Sequence, residues 1–488
     1  MPRTINAVIR SFCAALFLGA ISVLGFSPYG WFVIPLLSLA GLFRLWRHNP
    51  HNGAWLGFAF GLGYFGTGVS WIYISLHTYG DMPAALSALA TFLFAAFLAL
   101  FPTLAGYLYQ RRLTTSAWGI AASWMLLEWL RSWIFTGFPW LTIGYSQVPS
   151  SPLAGYAPIL GVFGISLLLA WSAASLVWRQ TAYLWLIAIL WIVGAGLKQI
   201  TWTHPLGTPF SVALIQGDIS QAIKWEPGQR TATLRSYHAL AATSHARLTI
   251  LPETAIPLFY DEVPETYLRD LVRYGRNNGG DVLTGIPEQT ADGHYYNSVM
   301  SFGRAPTQVY RKYHLVPLGE YLPLRSVLGG VFDLLHMPLS DFSRGARYQQ
   351  PLQIVGQRVA ADVCYEDVFG EEIIHQLPAA TILVNVTDDA WFGDSAMPWQ
   401  HLQISQMRAL ESGREMLRAT NTGVTAIIDK NGVMLKHLPV FTRAVLNGMA
   451  QGYQGYTPFI RWGNTMVLLL AAGMLIFDRL SARYSEKG

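Results

Sequence analysis

The sequence predicts a polytopic α-helical membrane bundle of about eight transmembrane helices that carries one extramembrane α/β domain. Two observations lead there: where the charge is missing, and where the hydrophobic period changes. Of 488 residues, 52% are hydrophobic and only 12% charged, about half the charged share of an ordinary soluble protein. The shortage is local, covering residues 12–200 and returning over 465–477, whereas 211–452 has the composition of a soluble domain. In that middle stretch short β-rich runs alternate with helical runs, the pattern of a sheet covered by helices.

A bilayer core takes roughly 20 apolar residues per helix. Seven runs approach that length before the soluble stretch, at 8–26, 30–46, 54–76, 84–109, 116–135, 153–177 and 182–200, and an eighth covers 459–478. The second is short and holds Pro35. Arg3 and Arg10 precede the first run, but no small-residue cleavage site follows it, so it reads as an uncleaved helix. With eight spans, Arg3, Arg10, Arg44, Arg47, Arg111, Arg112, Arg179, Arg479, Arg483 and Lys487 all fall on one side, which the positive-inside rule makes cytoplasmic. The loop at Tyr79-Gly80-Asp81, the aromatic loop Phe138-Pro-Trp-Leu141 and the α/β domain fall on the other side. The aromatic loop reads as an interfacial anchor. The net charge of +5 reflects the cytoplasmic anchors and gives no argument for nucleic-acid binding. Glu128 and Arg131, inside the fifth run, read either as a functional pair or as paired charges near the outer interface. The expected division is a membrane domain over 1–202, a catalytic domain over 203–455, and a last helix with its tail over 456–488, with a Pro/Gly/Thr-rich linker at 203–209.

Strands are expected in the α/β domain at 211–216, 248–251, 281–285, 295–302, 307–310, 358–363 and 381–386, with a hairpin of 423–428 and 433–436 around Asp429-Lys-Asn-Gly432. Helices are expected at 230–244, 265–277, 369–376 and 401–414. Three ionisable residues stand just past apolar strands: Glu253, Lys312 and Cys364. Sites in α/β sheets gather at the carboxyl ends of strands, so these three can meet. Cys13 reads as a packing residue of the first helix, which leaves Cys364 as the lone thiol of the α/β domain. A lone thiol in an oxidising compartment calls for a use. A carboxylate can take its proton, a lysine can stabilise the oxyanion of a tetrahedral intermediate, and together they support acyl transfer through a thioester. His314 lies near Lys312 but reads as facing away from it. No Cys/His spacing resembles a metal site and no nucleotide-binding fingerprint is present, so no cofactor is expected.

Three segments resemble the catalytic segments of the carbon–nitrogen hydrolase (nitrilase) superfamily: Leu251-Pro-Glu253, the run from Arg311-Lys312 to Gly319-Glu320-Tyr-Leu-Pro323, and Val363-Cys364-Tyr365-Glu366. Asp389-Ala-Trp-Phe-Gly393, Pro398-Trp-Gln-His401 and Arg418-Ala-Thr-Asn-Thr-Gly423 add to the likeness. With eight spans around them, the whole chain resembles the bacterial apolipoprotein N-acyltransferase family. That resemblance implies a nitrilase-like αββα sandwich, a multi-pass inner-membrane protein with a periplasmic catalytic domain, a phospholipid acyl donor and a diacylglyceryl-apolipoprotein acceptor. It implies Cys364 as nucleophile, Glu253 as general base, Lys312 as oxyanion stabiliser and Glu320 as an assisting glutamate. Tyr365 and Glu366 would shape the site, and Trp225 in Lys224-Trp-Glu-Pro would help hold acyl intermediate or substrate. One position departs from the pattern: Asp388 stands where the family is expected to carry Asn. Apolar segments Ile256-Pro-Leu-Phe259 and Val331-Phe-Asp-Leu-Leu335 read either as a lateral entrance for lipid or as core packing. Two other readings stay open: a membrane-tethered nitrilase or amidase, in which water resolves the thioester, and a transporter or receptor whose α/β domain only binds ligand.

Overall fold

The computed structural model describes residues 2–178, 181–317, 319–321 and 341–485. The chain divides into two compact units. One holds Met1–Tyr73, Pro83–Ile200 and Arg461–Gly488; the other holds Ile74–Met82 and Thr201–Ile460. The positions Arg179, Leu318, Leu322, Pro323, Lys487 and the segment Val331-Phe-Asp-Leu-Leu335 lie outside the described residues.

The first unit is helical. Its long helices are α1 (Pro2–Ser22), α2 (Val33–His48), α3 (Gly53–Gly68), α4 (Ala84–Gln110), α5 (Ala117–Arg131), α6 (Ala157–Trp178), α7 (Thr181–Leu197) and, after the α/β unit, a helix over Thr465–Ser485. Each coincides with one apolar run. Among the described residues four stretches are long and apolar enough to cross a membrane: Asn6–Gly25, Ala84–Gln110, Pro152–Trp178 and Thr465–Ala482. The shorter ones, α2, α3, α5 and α7, run 15 to 17 residues. Glycine lets α3 approach α4 closely: a Cβ on Gly57 would lie 2.2 Å from the Pro102 carbonyl oxygen, and one on Gly53 2.3 Å from that of Gly106. Small residues at such contacts are how apolar helices gain packing where burial from water supplies little drive.

Two expectations for this unit are corrected. Trp140 and Leu141 of the aromatic loop are 1% exposed, so the loop is core; the exposed aromatics of that turn are Trp133 and Phe135. The loop is held inward by Arg131, which donates to the carbonyls of Phe138 and Trp140, and by Glu128, which accepts from the Ile143 amide at 2.9 Å. Charged groups deep in an apolar unit are thus spent on backbone polar groups that would otherwise lack partners. Cys13 sits on an exposed face of α1 and not in the packing.

The second unit is an αββα sandwich. Among the described residues twelve strands form two six-stranded sheets. The first has the order β12-β1-β2-β3-β4-β5, built from β1 (Thr203–Gln216), β2 (Leu248–Ile250), β3 (Asp281–Gln289), β4 (Tyr295–Gly303), β5 (Val309–Arg311) and β12 (Ala444–Gly455). The second has the order β11-β10-β9-β8-β7-β6, from β6 (Leu352–Ile354), β7 (Gln357–Val363), β8 (Ile382–Thr387), β9 (Met416–Thr420), β10 (Ala426–Ile428) and β11 (Met434–His437). The centre of each sheet is parallel, β1-β2-β3 and β7-β8-β9, and its edges are antiparallel.

Period-two alternation explains the layers. On β7 and β8, Val359, Ala361, Val363, Ile382, Val384 and Val386 face the other sheet, while Ala360 and Leu383 face the helices. Helices α8 (Pro227–Ala242) and α9 (Glu265–Asn277) cover the first sheet through Tyr237, Ala241, Tyr267 and Leu271. Helix α10 (Met397–Ser412) covers the second through Leu402 and Ala409; the Thr465–Ser485 helix is α11.

Three boundaries differ from expectation. The linker expected at 203–209 is the first half of β1, paired antiparallel with β12 from Thr203↔Gly455. A register shift between Leu206 and Phe210 takes up Gly207, whose φ is +69°, and Pro209, while Pro205 stays paired with Tyr453; such irregularities let Gly and Pro stay in a sheet. Strands β6, β9 and β12 were not foreseen. The helix expected at 369–376 is a short α turn, Gly370–Ile373, followed by a 3-10 turn, Ile374–Gln376.

Candidate active site

The ends of β2, β5 and β7 bring their loops to one place. Glu253 follows β2, Lys312 follows β5 and Cys364 follows β7 without a break. Lys312 is 1% exposed, and its Nζ lies 2.8 Å from Glu320 Oε2 and 3.8 Å from Glu253 Oε1. Its own backbone is fixed, with its amide donating to the Asn297 carbonyl and its carbonyl accepting from the Gly345 amide, each at 2.8 Å. Asn297 of β4 joins the two carboxylates: one side-chain amide donates to Glu253 Oε1 at 2.7 Å and to Glu320 Oε1 at 2.9 Å. The second oxygen of Glu253 accepts from the Asp388 amide at 2.9 Å. Glu320 Oε2 also accepts from the Val316 amide at 2.8 Å.

Burial sets the proton affinities. It raises the Glu253 carboxyl above its ordinary value; Lys312 opposes this, Glu320 and Asp388 add to it, and the Asn297 bond works against it. Burial alone would lower Lys312, but the carboxylates of Glu320 and Glu253 prevail, so it is held above its ordinary value and stays cationic. Burial pushes the Cys364 thiol well up, Glu253 adds to this, and Lys312 pulls the other way. The resting sulfur is therefore a neutral thiol.

Cys364 has φ +54°, left-handed backbone at a residue with a side chain. Such a conformation costs on the order of 1–2 kcal/mol and needs outside support. Its carbonyl accepts from Asn385 Nδ2 at 3.1 Å and from His401 Nε2 at 3.2 Å. Behind it lies a fully buried ionic cluster. His401 contacts Asp367 at 3.0 Å and Asp389 at 2.9 Å; Arg418 contacts Asp389 at 3.0 Å and Asn385 at 2.7 Å. Burial and Arg418 lower His401, but the two aspartates outweigh them and raise it to about 9. The ring is therefore an imidazolium at neutral pH and can donate from both nitrogens.

The remaining expected residues take different places. Glu366 is buried. It accepts from Tyr310 Oη at 3.0 Å and from the amides of Tyr313, His314 and Val363 at 2.7, 3.1 and 2.8 Å. It thereby ties the Lys312 loop to the Cys364 strand. Tyr365 packs against Phe369 at 5.3 Å between ring centroids. His314 stacks on Phe369 and bonds Glu372 at 3.0 Å. Trp225 is 43% exposed, at the end of the short helix Gln221–Lys224. Ile256 is wholly buried in the helix-facing core, so its segment is packing at that residue. The sequence reading missed Asn297 and Lys224. The unexpected Asp388 carboxylate was the available signal for Lys224, because a buried charge calls for a counter-charge.

Residues 18–175 match the family described as "Apolipoprotein N-acyltransferase N-terminal domain", and residues 211–449 match "Carbon-nitrogen hydrolase". Among relatives, an apolipoprotein N-acyltransferase of Nitrosomonas europaea is 52% identical over 96% of this chain and 97% of its own length. One of Methylococcus capsulatus is 45% identical over 96% and 95%. A solved carbon–nitrogen hydrolase from Helicobacter pylori G27 aligns with 49% of this chain and 88% of its own, at 16% identity and a TM-score of 0.36.

Proposed function

The chain belongs to the apolipoprotein N-acyltransferase family, and on that premise we propose that it acylates the N-terminal amino group of diacylglyceryl-cysteine lipoproteins, with a phospholipid as donor and a thioester on Cys364 as intermediate. The observation that carries this reading is the buried Lys312 ammonium, 2.8 Å from Glu320 and 3.8 Å from Glu253, beside a thiol that senses both Glu253 and Lys312.

Cys364 Sγ attacks the acyl ester carbonyl as its proton passes to Glu253. The new oxyanion lies against Lys312, whose charge is already fixed by Glu320 and so needs no reorganisation. The ester C–O bond breaks, the lysophospholipid oxygen takes the proton from Glu253, and the acyl chain remains on sulfur. The lipoprotein amine then attacks the thioester, gives a proton to Glu253, and the C–S bond breaks with the sulfur reprotonated. The net change is ester plus amine to amide plus alcohol. A membrane frame suits these substrates, because exposing an acyl chain to water costs about 0.8 kcal/mol per CH₂. The eight helices on eight apolar runs support an eight-span inner-membrane protein. The one-sided basic anchors support a cytoplasmic face opposite a periplasmic catalytic domain.

The carbon–nitrogen hydrolase match over 211–449 favours one alternative, resolution of the thioester by water. Purified protein given a phospholipid labelled in its acyl chain and a diacylglyceryl-cysteine peptide separates the two. We expect N-acylated peptide and lysophospholipid in equal amounts, and neither with Cys364→Ala. Labelled free fatty acid without acylated peptide would make the protein a lipid-directed hydrolase instead.

A further inference from the structure

Lys224 is 1% exposed and has no assigned part in the chemistry above. Its Nζ donates in three directions: to Asp388 Oδ2 at 2.5 Å, to Thr254 Oγ1 at 2.5 Å and to the carbonyl of Glu253 itself at 3.3 Å. An ammonium has three N–H groups, and all three are used. Two of the partners are Glu253 and the residue after it. The third, Asp388, donates its amide to the Glu253 carboxylate. Thr254 has φ +46°, so the backbone that turns Glu253 into the site is itself strained and needs holding.

The other end of the same segment is also pinned. The Asn421 side chain accepts from the Ile219 amide at 2.9 Å and donates to the Ile219 carbonyl at 2.7 Å; its amide also donates to Asp388 Oδ1 at 3.0 Å. Asp388 therefore joins both anchors of the segment, and the exposed Trp225 ring follows directly after the second anchor, 5.8 Å from the Lys224 ammonium.

We propose that Lys224 is a positioning residue for this reaction: one buried ammonium ties the Trp225-bearing segment to the backbone of Glu253 and, through Asp388, to the hydrogen bond that orients the Glu253 carboxylate. The pairing also gives the buried Asp388 carboxylate its counter-charge. Its charge stands near Glu253 together with those of Lys312 and Glu320, and Lys224 balances it. Docking of Trp225 and the ionisation of the base are thereby coupled through one ion pair.

The inference rests on Glu253 acting as base, so Glu253→Gln is the control: if it retains acyl transfer, that reading fails before this one is tested. Three variants then decide: Lys224→Met, Asp388→Asn and the double variant. The rate of acyl-enzyme formation is followed against pH, and hydrogen exchange is followed at residues 218–226. Lys224→Met leaves the Asp388 carboxylate unbalanced, so the acid limb moves to higher pH, kcat/KM falls about 10–100-fold, and the segment exchanges faster. Asp388→Asn leaves a cation beside Glu253, so its limb moves to lower pH. The double variant returns the limb towards wild type while the segment still exchanges fast and the KM for donor stays raised. Wild-type limb and wild-type exchange in Lys224→Met overturn the proposal, as does a limb that stays shifted in the double variant. Should Lys224→Met fail to accumulate, Asp388→Asn decides alone: an unmoved limb and unchanged exchange there overturn it.

Discussion

The backbone of Cys364 is held by a buried cluster of charges. Cys364 keeps a left-handed backbone because its carbonyl is gripped by Asn385 and His401, and His401 is gripped by Asp367 and Asp389. Removing one member of a buried ion cluster leaves its partners uncompensated, a loss of roughly 3–5 kcal/mol. His401→Asn is therefore expected to lower the thermal stability of the α/β unit by that order, read by melting in detergent. Its pH dependence gives a sign. The folded His401 is raised from 6.5 to about 9, so its stabilisation is complete below pH 6.5 and is lost as pH rises through about 9. Wild type should lose melting temperature over that interval, and His401→Asn should lack this part of the slope. Of these residues, Glu253, Lys312 and Cys364 were legible because each ends an apolar strand and carries reactive chemistry. His401 and Arg418 stood inside recognisable segments, yet nothing in their spacing said that both would face a buried aspartate pair. Asn297 gave no signal, since an Asn inside a strand is ordinarily a side chain with a hydrogen-bonding partner and no more.

At the scale of elements, two sheets must be kept in register for a site assembled from both. β2 and β5 belong to the first sheet and carry Glu253 and Lys312; β7 belongs to the second and carries Cys364. Glu366 is the staple between them: it accepts from Tyr310 of β5, from the two amides after Lys312, and from Val363 of β7. Burial raises its carboxyl to about 7. Glu366→Gln keeps the shape but turns one acceptor into a donor against a cluster of donors. Misplacement of a reacting group by about 1 Å can cost 10²-fold, so acyl-enzyme formation should slow by about 10–100-fold. The KM for the phospholipid should barely change, because the Glu366 carboxylate is taken up by Tyr310 and by the amides of Tyr313, His314 and Val363. A raised KM with unchanged kcat would show that Glu366 instead contacts substrate. The strands that carry the site were readable from their apolar runs. β12 and the first half of β1 were not, because Pro205, Gly207 and Pro209 read as a linker. Their strand character comes from the long antiparallel pairing of two segments more than 200 residues apart, which no local pattern reveals.

For the whole molecule, the division of labour follows from where charge is absent. The apolar helices and an α/β domain were both visible in composition and period, whereas the αββα sandwich was implied only by the family resemblance, and the structure adds which strands pair in each of its two sheets. The lengths of individual helices were less legible, since α3, α5 and α7 end earlier than their apolar runs suggest. In the proposed reaction an acyl chain leaves a lipid and rests on Cys364. Intact-mass spectrometry of the purified protein after incubation with a single phospholipid, without acceptor, tests this directly. The account predicts a mass increase of one fatty-acyl group, removed by hydroxylamine, absent from Cys364→Ala, and discharged when a diacylglyceryl-cysteine peptide is added. Wild-type protein that turns over donor and acceptor yet never carries the adduct, or an adduct that persists in Cys364→Ala, would contradict it.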